Sequence, residues 1–279
     1  MKNILIFNDN SPEAGHAMEL ASFIAGKTNV SLYVWNTFED EQEAIAADAI
    51  ALDANENPAK QPGGGRRSGN EKPGLITYTQ TGLKPTLVFI EDVAFDANQV
   101  LSLVRKFNIG LLIKGIAANE DHRSFIERSM LTCSTRSGCP IMLIPQGFRR
   151  KSIEKMVYTT DLRFCRQDIV RFLSKLAVAL NASVLIANIA AKGLPYMDSK
   201  YALNIFEDGI ADRYNCDHLY FSNIRERDVP KTFDILINDM KNDLLVLVNH
   251  KYHFNELLGQ AVPYTLPEFI QVPILIFPS

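Results

Sequence analysis

Two sets of residues in this chain have the type and spacing to do chemistry. The first are acids set directly after apolar runs. Asp9 follows NILIFN, Asp161 follows KMVYTT, and residues that can start a helix follow each acid. A carboxylate there can touch a molecule bound at a strand end. It can also cap the helix behind it by accepting from free backbone N–H groups. The second are His250 and His253, three apart in HKYH. On a helix both imidazoles would share a face, the arrangement of a divalent metal pair, with His218 or Asp161 to complete the set. In a polar loop the expected reading is two solvated histidines, so no metal site is assigned and the pair stands as the candidate for one.

Neither set amounts to a catalytic centre. Cys133, Cys139, Cys165 and Cys216 form no CxxC pair and read as reduced core thiols. Cys133 and Cys139 share only a neighbourhood with His122, short of a converging thiol, base and orienting group. No GxxxxGK[ST] occurs, so the phosphate-gripping Lys of the P-loop hydrolases is missing. The expectation is a protein that is not an enzyme.

The elements that would carry these residues occur twice. NILIFN, Asp9 and a helix from Pro12 correspond to KMVYTT, Asp161 and a helix through Ile169, Phe172, Leu173, Leu176 and Leu180. In the first helix Ser11 is the N-cap and Ala14, Ala17, Met18, Ala21 and Ile24 form the apolar face, with Gly26 as a stop. VSLYVW then matches SVLIANI, TLVFI matches HLYFSNI, ANQVLSLVRKF matches PKTFDILINDM, and IGLLIKG matches NDLLVLV. CPIMLIP and VPILIFP close the two copies. In each closing stretch the first proline opens the strand and the second stops it. The first copy is longer because of 57–74, NPAKQPGGGRRSGNEKPG, whose Gly, Pro and charge read as a mobile surface insertion.

Five unalternating apolar runs per copy, separated by helices, predict a mainly parallel sheet covered on both faces. Right-handed crossovers make each copy doubly wound. The expected architecture is α/β: two tandem domains at 1–147 and 153–279, each a five-stranded parallel sheet flanked by helices. A chain of 279 residues with 47% hydrophobic and 22% charged residues can fill two cores. Its net charge of −3 offers no basic field for nucleic acid. No apolar run is long enough to span a membrane, and MKNILIFNDN lacks the apolar core of a signal peptide. No nucleic acid, no membrane and a cytoplasmic location are therefore expected.

The ordered duplication of the strand-then-Asp opening, the DLL-type fourth strand and the (C/V)PxxxxP ending resembles the universal stress protein family in its tandem form. The resemblance covers nearly the whole chain except 57–74. It implies a flavodoxin-like sheet and pairing of domains through their last strands, here within one chain, with a homodimer as a further option. It names no protein partner. Some members of the family bind ATP with a loop after the fourth strand that reads Gly, two residues, Gly, nine residues, Gly, then Ser or Thr. Such glycines let backbone N–H groups reach phosphate oxygens.

Placed on the first copy, that pattern keeps Gly115 and Ser129 but puts Ala118 and Arg128 at the other glycines, with Glu120 and Asp121 beside the phosphate position. Asp9 would be the acid of the site, and Trp35 stands where a small base-contacting residue is usual. In the second copy Val248, Lys251 and Gln260 replace loop residues, the spacer before Gly259 is shorter, and Asp161 and Ile189 alone match. The reading is a non-catalytic stress-response protein with degenerate nucleotide sites and no cofactor. ATP is an option in the first copy only, through Asp9, Gly115 and Ser129. The alternatives are an adenine-nucleotide-binding protein using the 115–129 loop, or a small-ligand or metal carrier.

Overall fold

The computed structural model describes residues 1–36, 75–78, 85–90, 97–116, 125–148, 152–214, 217–226, 228–249, 253–258, 267 and 269–279. The 57–74 insertion, His250 and the segment from Ala118 to Arg123 lie outside the described residues.

The strands are β1 (Asn3–Asn8), β2 (Leu32–Asn36), β3 (Leu75–Tyr78), β4 (Leu87–Ile90), β5 (Ile109–Ile116), β6 (Ile141–Pro145), β7 (Lys155–Thr160), β8 (Ser183–Ile189), β9 (Leu219–Ile224), β10 (Leu244–Val248) and β11 (Ile274–Phe277). The main helices are α1 (Pro12–Thr28), α2 (Ala97–Lys106), α3 (Phe125–Ser137), α4 (Gln167–Leu180), α5 (Ser199–Phe206), α6 (Val229–Asp234) and α7 (His253–Leu258).

All these strands join one sheet in the order β3-β4-β2-β1-β5-β6-β11-β10-β7-β8-β9. The run β4-β2-β1-β5-β6 is parallel, and so is β9-β8-β7-β10-β11. Each run places its strands third, second, first, fourth, fifth. The two fifth strands meet antiparallel, with Ile274 opposite Leu143 and Ile276 opposite Ile141. β3 adds an antiparallel strand outside β4, an element the sequence reading left unassigned.

Between its edge strands the sheet is buried on both faces, which is why those strands read as continuous apolar runs. Ile4, Leu5, Ile6 and Phe7 all have zero exposure. Ile4 and Ile6 join one apolar layer with Leu20, Ile24, Leu173 and Leu176, so α1 and α4 share a face of the sheet. Leu5 and Phe7 join the opposite layer with Val100, Leu131, Phe233 and Phe254 from α2, α3, α6 and α7. Two successive residues of a strand thus feed different cores.

The helix ends follow local chemistry. The Ser11 hydroxyl accepts from the Ala14 amide at 3.1 Å, and Pro12 occupies the first turn. Gly26 does not stop α1. The helix runs on to Thr28, and Asn29 closes it at φ 52°, with its N–H bonded back to Ala25 and Gly26 carbonyls. Asn181 closes α4 the same way at φ 54°. Asparagine tolerates this left-handed geometry better than most side chains. Among the described residues no helix is long and apolar enough to cross a membrane.

Candidate functional site

In a doubly wound sheet the ligand crevice opens at the carboxyl ends of the first and fourth strands, where the winding reverses. The chain has two such places, above β1/β5 and above β7/β10.

Asp9 stands immediately after β1 at the first crevice. The register sets Phe7 of β1 beside Lys114 of β5. Lys114 is fully buried, and its ammonium forms an ion pair with Asp9 Oδ2. The other carboxylate oxygen accepts from the Ser11 hydroxyl at 2.6 Å and from the Ser11 amide at 3.1 Å. Burial alone would raise the pKa of Asp9. The Lys114 ammonium and the Ser11 donors outweigh it and hold the carboxyl below its ordinary value. Both oxygens of the candidate acid are therefore committed inside the protein.

Gly115 is the next residue on β5. A Cβ built there would lie 2.4 Å from the Glu13 carbonyl oxygen and 2.9 Å from the Ala14 amide nitrogen. The glycine lets the strand press against the first turn of α1, a packing reason that the loop pattern did not reveal. Ser129 belongs to α3, and residues 117–124 between it and Gly115 lie outside the described residues. Trp35 on β2 is fully buried with its ring centroid 5.7 Å from that of Phe7. This is the position that the family resemblance assigns to a base contact.

The second crevice solves the same problem with different side chains. Tyr158 of β7 pairs with Val246 of β10. Continuing that register sets Leu247 beside Thr159, the place that Lys114 holds beside Phe7. With no ammonium there, Asp161 takes its counter-charge from its own loop. It is 1% exposed, and Oδ2 accepts from Arg163 Nη1 at 3.0 Å and from the Ala191 amide at 2.9 Å. Oδ1 accepts from the Arg163 amide at 3.1 Å and starts the short helical turn Leu162–Phe164. The acid clips the loop after β7 to the loop after β8.

His253 opens α7 and is 2% exposed. Its Nε2 lies 3.0 Å from the Ile189 carbonyl oxygen, at the end of β8. A carbonyl only accepts, so Nε2 carries the proton. Burial lowers the pKa of the ring, against weaker pulls from the Ile189 carbonyl and Asp161. The neutral imidazole is thus spent on the backbone of Ile189, the residue assigned to the base contact in this half. His253 Nδ1 lies 3.9 Å from Glu256 Oε1. Among the described residues no group of three His, Cys, Asp or Glu side chains is gathered as for a metal ion.

Sequence reasoning missed Lys114 and Arg163. A lone lysine inside the apolar run IGLLIKG was the available signal for the first. Nothing local marked the second.

No protein-family model matches the sequence, and no curated protein matches it. Solved structures do. A universal stress protein from Archaeoglobus fulgidus DSM 4304 superposes with a TM-score of 0.54 at 11% identity, over 99% of this chain and 96% of that one. A functionally unknown protein from Pseudomonas aeruginosa PAO1 superposes with a TM-score of 0.52 at 12% identity, over 100% of this chain and 92% of that one. At this identity the likeness is one of fold. The chain has the universal-stress-protein fold, over its full length.

Proposed function

We propose that this chain is a non-catalytic stress-response protein of the universal stress type whose two nucleotide positions are closed by its own side chains. The observation that carries the reading is the His253 imidazole on the Ile189 carbonyl. A nucleotide base entering there would have to displace a buried ring and replace its hydrogen bond. The first crevice supports the same reading, because Asp9 is bound by Lys114 and Trp35 fills the base side. A ligand carboxylate or phosphate brought near Asp9 would also meet a buried Lys114 ammonium that is already neutralised.

In this reading 1–147 and 153–279 are two domains of one type, paired within the chain through β6 and β11. The protein works in the cytoplasm without a cofactor, and a homodimer is its further level of assembly. What the fold then offers a partner is a surface rather than a reaction.

Titration calorimetry with Mg-ATP on the full chain tests this. The expected result is no saturable heat at millimolar nucleotide. Micromolar binding to the wild type, whichever crevice it uses, overturns the proposal.

A further inference from the structure

We propose that β9 is a docking edge for a second copy of this chain, which adds its own β9 antiparallel about a two-fold axis at Phe221. This deepens the reading that the fold offers a partner a surface, and it gives the homodimer its place. The last strands cannot serve, because β6 and β11 already pair with each other. The sheet ends at β3 on one side and at β9 on the other. β3 is four residues long, and a very short strand is one way of blunting an edge. β9 is six residues, LYFSNI, with neither a charge nor a proline to turn a strand away.

The first half shows what such an edge takes. The Thr86 carbonyl accepts from the Leu32 amide at 2.9 Å, and the His218 carbonyl accepts from the Val184 amide at 2.7 Å. Successive residues of a strand turn their N–H and C=O to opposite sides, so Leu87 and Phe89 turn theirs away from β2. By the same alternation Leu219, Phe221 and Asn223 turn theirs away from β8. The two registers set Leu219 at the place of Leu87 and Phe221 at that of Phe89, so the edges carry the same two residues. In the first half β3 occupies this edge antiparallel, with Tyr78 opposite Leu87 and Ile76 opposite Phe89. In the second half no strand lies outside β9 among the described residues. Val88 on the covered edge is 5% exposed, while Tyr220 at the equivalent place is 55% exposed.

The edge is complementary to itself. With Phe221 on the axis, Leu219 faces Asn223 of the second copy and Tyr220 faces Ser222 of the second copy. Phe221 then meets its own copy, and every outward-turned residue of one strand exchanges N–H···O bonds with an outward-turned residue of the other. Two residues further out, the same register brings Asp217 opposite Arg225 of the second copy, at both ends of the join. Both side chains are exposed, so opposite charges meet twice. Phe221, whose ring stacks on Phe206 at 5.0 Å, sets an apolar group at the axis, and Tyr220 loses its exposure. β6 and β11 already join by such an antiparallel meeting of equivalent strands, with Met142 facing Leu275. One strand pair makes a small interface, so the dimer belongs to the weak, concentration-dependent class.

Sedimentation velocity on the full chain tests the docking edge. No nucleotide is present, so the outcome is independent of the calorimetry above. A monomer–dimer equilibrium is expected, half complete at about 10–100 µM, the range of a small interface. Tyr220→Lys sets a charge on the edge and should leave a monomer even at about 300 µM, with circular dichroism checking that the fold persists. Arg225→Asp should weaken the dimer at least about tenfold, because it sets like charges opposite each other and acts twice in a two-fold pair. Combining Asp217→Arg with Arg225→Asp exchanges the charges and should recover most of that loss. Copies that dock anywhere else do not show this recovery. The proposal is overturned if the wild type is monomeric at about 300 µM, or if Tyr220→Lys or Arg225→Asp dimerises as the wild type does. It is overturned as well if the exchanged pair is no tighter than Arg225→Asp alone.

Discussion

Replacing Lys114 by leucine gives the first crevice the residue that the second already has at that place. The ammonium of Lys114 is fully buried, while the Asp9 side chain keeps 19% exposure. Removing one partner of a buried ion pair typically costs about 3–5 kcal/mol, because the other charge is left uncompensated. Asp9 retains two donors from Ser11 and some contact with water. The expected loss is therefore at the low end, about 3 kcal/mol at pH 7. The double variant Asp9→Asn/Lys114→Leu removes both charges and keeps an acceptor for Ser11, so it should recover at least half of that loss. The pH dependence has a definite sign. The folded pKa of Asp9 lies below its ordinary value of 3.8, so the pair stabilises above that pH and the contribution is lost as pH falls through the folded value. The gap between wild type and Lys114→Leu should narrow from pH 7 towards pH 3. Urea unfolding followed by Trp35, the single tryptophan and a fully buried neighbour of Phe7, reads this half directly. If Lys114→Leu is as stable as the wild type at pH 7, or the double variant is no better than the single, the reasoning fails.

Three further outcomes are expected. Gly115→Ala should lose about 2–3 kcal/mol in urea unfolding, since its Cβ would meet the Glu13 carbonyl rather than a movable side chain; a neutral result would mean that β5 and α1 are not in contact as described. His253 has a pKa lowered from 6.5, so the unfolded chain binds protons that the folded one refuses, and stability should fall as the pH drops below that value. His253→Gln should flatten this slope in melts between pH 7.5 and pH 5, and an unchanged slope would place the titration elsewhere. Asp243→Ala should cost about 2–3 kcal/mol in the same assay, because its buried Oδ2 accepts from both the Glu154 and Lys155 amides at 3.0 Å.

Much of the fold was legible because the inner strands of the sheet are buried on both faces, which writes them as apolar runs between helices. The proline-bounded endings CPIMLIP and VPILIFP marked β6 and β11, each preceded by its opening proline. β3 escaped because LITY is four residues with no copy in the second half. The end of α1 was misplaced because glycine is the commoner stop signal, while here Asn29 takes the left-handed position. The crevices were less legible, for a reason of range. Lys114 reaches Asp9 across the β1–β5 register, a contact no local window contains. Gly115 reads the same in sequence whether it faces a phosphate or the backbone of Glu13. His253 looked like half of a surface pair with His250, yet it is a buried group bonded to the end of β8.

The antiparallel meeting of β6 and β11 has a consequence for how this molecule can change over generations. In a pair of identical chains about a two-fold axis, every substitution at the join arrives twice and must suit both sides. Here Leu143 faces Ile274 and Met142 faces Leu275, each written once. The partner is always on hand at an effective concentration fixed by the chain itself, so dilution does not separate the halves. Mutations can be tried on one side while the other keeps the assembly together. One crevice could therefore settle on a lysine and the other on a histidine.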